Sequence, residues 1–247
     1  VSVAITVANL VTAASGTDAT SYVTASITPT ANALVLAFVH GTDLTGSAQP
    51  TLSGNGLTWV AITTVQFNTI AAPEGRLTVF RAMGAAPSAG AVTIAFGAVE
   101  QNGCSWSIVQ ATGDVDTSGT NGSGAIVQSQ TAQIDASINV TATLPAPIAP
   151  GNVPVAGVGQ SSSVAMNPEA GWTELGEAVH SLPAAGIQSA WRNNSDDVSY
   201  TAARGSGTAS WGAIIVEVKA AGGSSPHFGL FSRALSSRDI LDRPVTR

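Results

Sequence analysis

Within GDVDTSGTNGSG, residues 113–124, the oxygens of Asp114, Asp116, Ser118 and Asn121 recur closely enough to surround a hard cation such as calcium. The twelfth position counted from Asp114 is Ala125, where a helix-flanked calcium loop carries a bidentate glutamate. An Asx-rich hairpin turn is the competing reading of the same residues. A second chemistry to weigh is glycoside hydrolysis, which needs two carboxylates facing each other across a substrate. Glu74, Glu100, Glu169, Glu174 and Glu177 fall in turns or polar, edge-like stretches. Glu217, in IIVEVK, lies inside an apolar strand, where alternation predicts a solvated position near Lys219.

His40, His180 and His227 stand apart, none at metal-ligand spacing from a cysteine or another histidine. Cys104 is the single cysteine, so no internal disulfide forms, and GCSWSIV predicts a buried thiol. Nucleophile-elbow, phosphate-loop, zinc-protease and dinucleotide fingerprints are missing from the sequence. No catalytic residue is assigned, and the expectation is a protein that is not an enzyme. Trp106 and Trp211 open apolar strands and are expected in the core. Trp59, Trp172 and Trp191 lie nearer loops and are candidates for a glycan-stacking platform.

These residues are embedded in 247 positions of which 44% are hydrophobic but only 10% charged, well below the usual quarter. Such a surface is wetted by Ser, Thr, Asn and Gln, or covered by neighbouring subunits. Residues 1–220 hold five basic and thirteen acidic side chains, a net of −8, which argues against a nucleic-acid groove. VSVAITVANLV reads as an alternating strand rather than a signal peptide, and no apolar run reaches the roughly 18 residues of a membrane span. Synthesis in the cytoplasm without a membrane partner is expected.

Helix signals are nearly absent from the body; β-branched residues alternate with small or polar ones between recurrent turn clusters. Strands are expected near 3–7, 22–27, 33–40, 58–65, 77–82, 90–97, 104–112, 125–130, 137–144, 153–159, 172–178, 186–192, 198–203 and 210–219. ALVLAFVH and GAIIVEV are apolar throughout, as in strands buried on both faces. The expected architecture is all-β: one antiparallel two-sheet jelly-roll-like sandwich over residues 1–220, followed by a linker and docking arm over 221–247. LPAPIAPGNVP, residues 144–154, carries four prolines and is expected to cross between sheets. A faint internal echo, SWSIVQATG against SWGAIIVEVKAAG, is explained by a shared strand role without duplication.

The arm differs in kind from the body. It carries Arg233, Arg238, Arg243 and Arg247, interleaved with Asp239, Asp242 and the apolar Phe228, Leu230, Phe231, Leu235, Ile240 and Leu241. A counterion-releasing tail would be basic and polar throughout, whereas apolar anchors with forked guanidinium groups suit a protein groove. An acidic body on a neighbouring copy or shell offers complementary ground.

Taken in order, ALVLAFVHG, GNGLTWVAI, RLTVFRAMGAAPSAGAVTIAF, CSWSIVQATGDVDTSG with NGSGAIVQS, GNVPVAGVG, GWTELGE and SWGAIIVEVKA resemble a β-sandwich family of tailed-phage structural proteins and bacterial surface proteins. The resemblance covers most of residues 30–220 and consists of strand and turn signatures, with no catalytic residues to transfer. It implies presentation on a large assembly: capsid decoration, a tail-surface role in a virion, or a carbohydrate-binding adhesion module on a particle or cell surface. The partners so implied are other virion proteins, copies of the chain itself and a host-surface glycan. Residues 221–247 have no counterpart in that pattern.

Overall fold

The computed structural model describes residues 4–193 and 197–222, and the proposed arm residues from Phe228 to Arg247 lie outside them. Among the described residues, sixteen strands account for almost all of the regular structure, and the one helical piece is a single 3₁₀ turn at Ser123–Ala125. The first eight strands are β1 (Thr6–Ser15), β2 (Ser21–Val23), β3 (Leu34–Asp43), β4 (Thr51–Gly54), β5 (Val60–Phe67), β6 (Glu74–Ala82), β7 (Val92–Ala95) and β8 (Gly103–Thr112). The second eight are β9 (Ile126–Ser137), β10 (Asn139–Thr143), β11 (Val153–Gln160), β12 (Met166–Pro168), β13 (Thr173–Ser181), β14 (Ala184–Trp191), β15 (Ser199–Arg204) and β16 (Ala209–Val218).

All pairings are antiparallel, and they repeat. The first half forms a five-stranded sheet, β1-β8-β3-β6-β5, and a three-stranded sheet, β2-β7-β4; the second forms β9-β16-β11-β14-β13 and β10-β15-β12. Adding eight to each strand number converts one half into the other. The single two-sheet sandwich expected from the sequence is therefore corrected to two repeated units, and the Trp106/Trp211 echo marks equivalent positions on β8 and β16. Trp106 pairs with Val39 of β3 and Trp211 with Gln160 of β11, the same place in each sheet.

The two five-stranded sheets pack on each other. One apolar cluster mixes Leu36, Phe38, Leu77 and Val109 of the first unit with Val155, Ile187, Ile214 and Val216 of the second. Each three-stranded sheet covers the other face of its own five-stranded sheet, around Tyr22, Ile94 and Trp106 in one unit and Tyr200, Trp172 and Trp211 in the other. The layers thus run three, five, five, three. Every residue of β3, β11 and β16 is buried because these strands have protein on both faces, which is why they show no polar alternation.

Edge strand β1 lies against β13 and edge strand β9 against β5, which are equivalent pairs, so the halves are related by an approximate two-fold. Its axis follows the strands: the end of β1 at Gly16 meets the end of β13 at Leu182, and Phe67 at the end of β5 meets Gly212 near the start of β16. Where the sheets approach most closely, side chains are deleted. A Cβ on Gly157 would overlap the Phe38 ring, and one on Gly212 would overlap Phe67.

The LPAPIAPGNVP segment does cross between sheets, joining β10 to β11 within the second unit. Two strands escaped the sequence reading, β4 and β12, and they are the same strand in the two units. Each is four residues or fewer, and β12 includes Pro168, so neither displays a usable period.

Candidate functional site

The loop considered for calcium is the connection between the two units, and within it the Asp116 carboxylate is engaged by the chain itself. Lys219, just beyond β16, places Nζ 2.6 Å from Asp116 Oδ2, and the Ser118 N–H donates to Asp116 Oδ1 at 2.7 Å. Lys219 first, then the hydrogen bonds from Ser118, hold the Asp116 carboxyl down at about 2. The backbone reinforces the contact: Asp116 N–H donates to the Lys219 carbonyl at 2.9 Å, Ala221 N–H to the Asp114 carbonyl at 2.7 Å, and Val115 bridges Ala220. Asp116 is therefore committed to an Asx turn and an internal ion pair. Among the described residues, no three His, Cys, Asp or Glu side chains gather as metal ligands.

The candidate glycan tryptophans fall into three different places. Trp59 is half-buried on the outer core of the first unit, its Nε1 donating to the Gly54 carbonyl at 3.4 Å. Trp172 is only 7% exposed and its ring centroid lies 4.6 Å from that of Tyr200, so it has no open face for a sugar. Trp191 packs against the central core between the units. The fold does not assemble the three into one platform. Trp106 and Trp211 are buried as expected, and so is Cys104, whose thiol is pushed up by burial.

Glu217 corrects another expectation. It is 1% exposed rather than solvated, accepting from Asn152 Nδ2 at 2.6 Å, Ala149 N at 3.0 Å and Gln128 Nε2 at 2.6 Å. These bonds clamp the proline-rich crossover onto β16, and a buried carboxylate is tolerable because donors surround it. Glu174 and Glu177 are brought together on β13 by a bulge between Glu174 and Gly176. Glu174 Oε2 accepts from Gln188 Nε2 at 3.1 Å, Glu177 Oε1 from Met166 N at 2.7 Å, and Tyr200 donates to Gln188 Oε1 at 2.8 Å. Burial, reinforced by the Glu174 charge, raises the Glu177 carboxyl above its ordinary range. Glu177, without Glu174, borders a shallow cavity of about 230 Å³ lined also by Ser163, Ala165, Ala178 and Val179. The bonds of the two carboxylates tie β12 and β14 to β13.

The histidines show what spacing could not. His40 on β3 and His180 on β13 both face the contact between the units, with His180 beside Gly103 and Gly16 of the first unit and His40 beside Gly159 of the second. His40 Nδ1 donates to the Gly186 carbonyl at 3.1 Å, and its ring centroid lies 5.0 Å from that of Phe67. Burial, aided by His180, pulls His40 down to about 3; burial also lowers His180. Nearby, Ser107 and Ser189 hydroxyls meet across the units at 2.7 Å, and Thr12 joins Ser107 at 3.0 Å. The only sequence sign of this seam was a histidine ending an otherwise apolar strand.

Chemically, these polar groups hold layers together. His40 Nδ1, the Ser107 and Ser189 hydroxyls and the Glu217 carboxylate are satisfied by donors and acceptors of the chain itself, whereas His40 Nε2 and both ring nitrogens of His180 are buried without a hydrogen-bond partner. No protein-family model matches this chain, and comparisons with curated proteins and with solved structures return no match.

Proposed function

We propose that this chain is a non-enzymatic structural component of a tailed-phage virion, a capsid decoration or tail-surface protein held in place by its C-terminal segment. The observation that carries the reading is the fastening at Asp114–Ala221. There the last described residues are stitched, by an ion pair and backbone bonds, to the connection between the two units. A segment leaving that point has a rigid origin, so its attachment would orient the whole four-layer block. The segment resemblance to tailed-phage structural proteins supports the class. The expenditure of His40, Glu217, Glu174 and Glu177 on internal contacts supports display over catalysis.

Deleting residues 224–247 should leave a folded body with an unchanged thermal transition that no longer enters particles. The measurement is the amount of truncated and full-length chain recovered in purified virions; normal incorporation of the truncated chain would refute the role of the segment.

A further inference from the structure

The two-fold along the strands divides the molecule into two unlike ends. One holds the connection between the units and the departure of the chain at Gly222. The other holds the eight loops that follow the odd-numbered strands. Six of those eight carry a large aliphatic side chain in solvent: Leu44 at 54%, Ile70 at 88%, Val99 at 45%, Ile138 at 55%, Val164 at 38% and Leu182 at 79% exposed. Among the described residues, no loop at the opposite end exposes one. Single exposed aliphatics are ordinary, and Val23 on β2 and Val127 on β9 are exposed toward the opposite end, but the concentration of six in the loops of one end marks a contact surface. Ile70 and Leu182 occupy equivalent hairpins, β5–β6 and β13–β14. Three exposed acids, Asp18, Glu100 and Asp135, lie at the same end.

We propose that this loop end receives residues 223–247 of a second copy of the chain, joining molecules head to tail. The inference rests on the reading of the segment as an attachment arm and names its receptor. Charge matches: the segment holds four arginines and two aspartates, opposite the acids of the loops. Apolar character matches too, since Phe228, Leu230, Phe231, Leu235, Ile240 and Leu241 need an apolar surface and the loops offer one.

Length separates the anchors: Leu235, Ile240 and Leu241, thirteen or more residues past Gly222, can reach the loops of either molecule, whereas the first anchors cannot reach their own. The ten residues of β16 span about 33 Å between the two ends. Phe231 lies nine residues past Gly222, a reach of at most about 32 Å when fully extended. Phe228 to Phe231 therefore stop short of their own molecule's loops, which project beyond the strands. A neighbour's loops place no such limit. A contact joining unlike surfaces propagates into rings or filaments instead of closing as a dimer.

Two full-length variants test this. Ile70→Asp with Leu182→Asp damages the receiving end, at side chains that contribute little to the core. Phe228→Asp with Phe231→Asp damages the arm. Wild type should form concentration-dependent oligomers by analytical ultracentrifugation, and each variant should associate at least about tenfold more weakly. Mixed one to one, the variants should restore a species of two chains and nothing larger, because only one intact arm and one intact receptor can meet. A monomeric wild type, or a mixture that stays monomeric, overturns the proposal. If the loop variant assembles like wild type while the arm variant does not, the arm attaches elsewhere: this proposal falls and the functional reading stands.

Discussion

His40 carries the most informative chemistry of any single residue here, because its neutrality is enforced by two sheets closing over it. In the unfolded chain an imidazole titrates near 6.5, and in the folded protein His40 does so at about 3. Between these values the unfolded state binds a proton that the folded state refuses, so stability is complete above about pH 6.5 and declines as pH falls toward 3. His180, lowered for the same reason, adds in the same direction. Urea midpoints measured at pH 7, 5 and 4 should fall steadily. His40→Gln, whose amide can still donate to the Gly186 carbonyl, should flatten that decline, and an unaltered slope in the variant would exclude His40 as its source. The sequence shows this histidine at the end of ALVLAFVH, but not the second sheet that buries it, since Gly186 is 146 residues away.

At the scale of elements, the central strands hold both what was most legible and what was least. Continuous apolar runs identified β3 and β16 as doubly covered, because a strand without a wet face has no need of alternation. The glycines on β11 and β16 gave no such signal; in sequence they resemble the glycines of turns. Their role follows from Phe38 and Phe67 on the facing sheet. Gly157→Ala should cost about 1–3 kcal/mol by overpacking against Phe38. Combining it with Phe38→Leu should recover part of that loss, a coupling visible in a double-mutant cycle of urea-unfolding energies. Strictly additive losses would mean that the two residues do not share the contact.

For the whole molecule, the covering of each five-stranded sheet on both faces makes the halves interdependent. Separated, the first unit would expose Leu36, Phe38, Leu77, Val79 and Val109 together on one sheet face, a patch of the kind that drives aggregation. Residues 1–117 expressed alone should be insoluble, and coexpression with residues 118–247 should return a soluble two-piece complex on gel filtration. A soluble, cooperatively melting half would show that the central contact is dispensable.

Strand class, the approximate position of fourteen of the sixteen strands and the buried character of Cys104, Trp106 and Trp211 were determined by sequence alone. Those properties depend on local alternation and on the transfer of apolar side chains from water, both written into neighbouring residues. Tertiary structure decided the duplication, the four layers, the burial of Glu217 and the meeting of His40 with the second unit. Each depends on a partner far along the chain: Asn152 for Glu217, Gly186 for His40 and Lys219 for Asp116. Periodicity records that a face is covered; only the packed sheets specify by what.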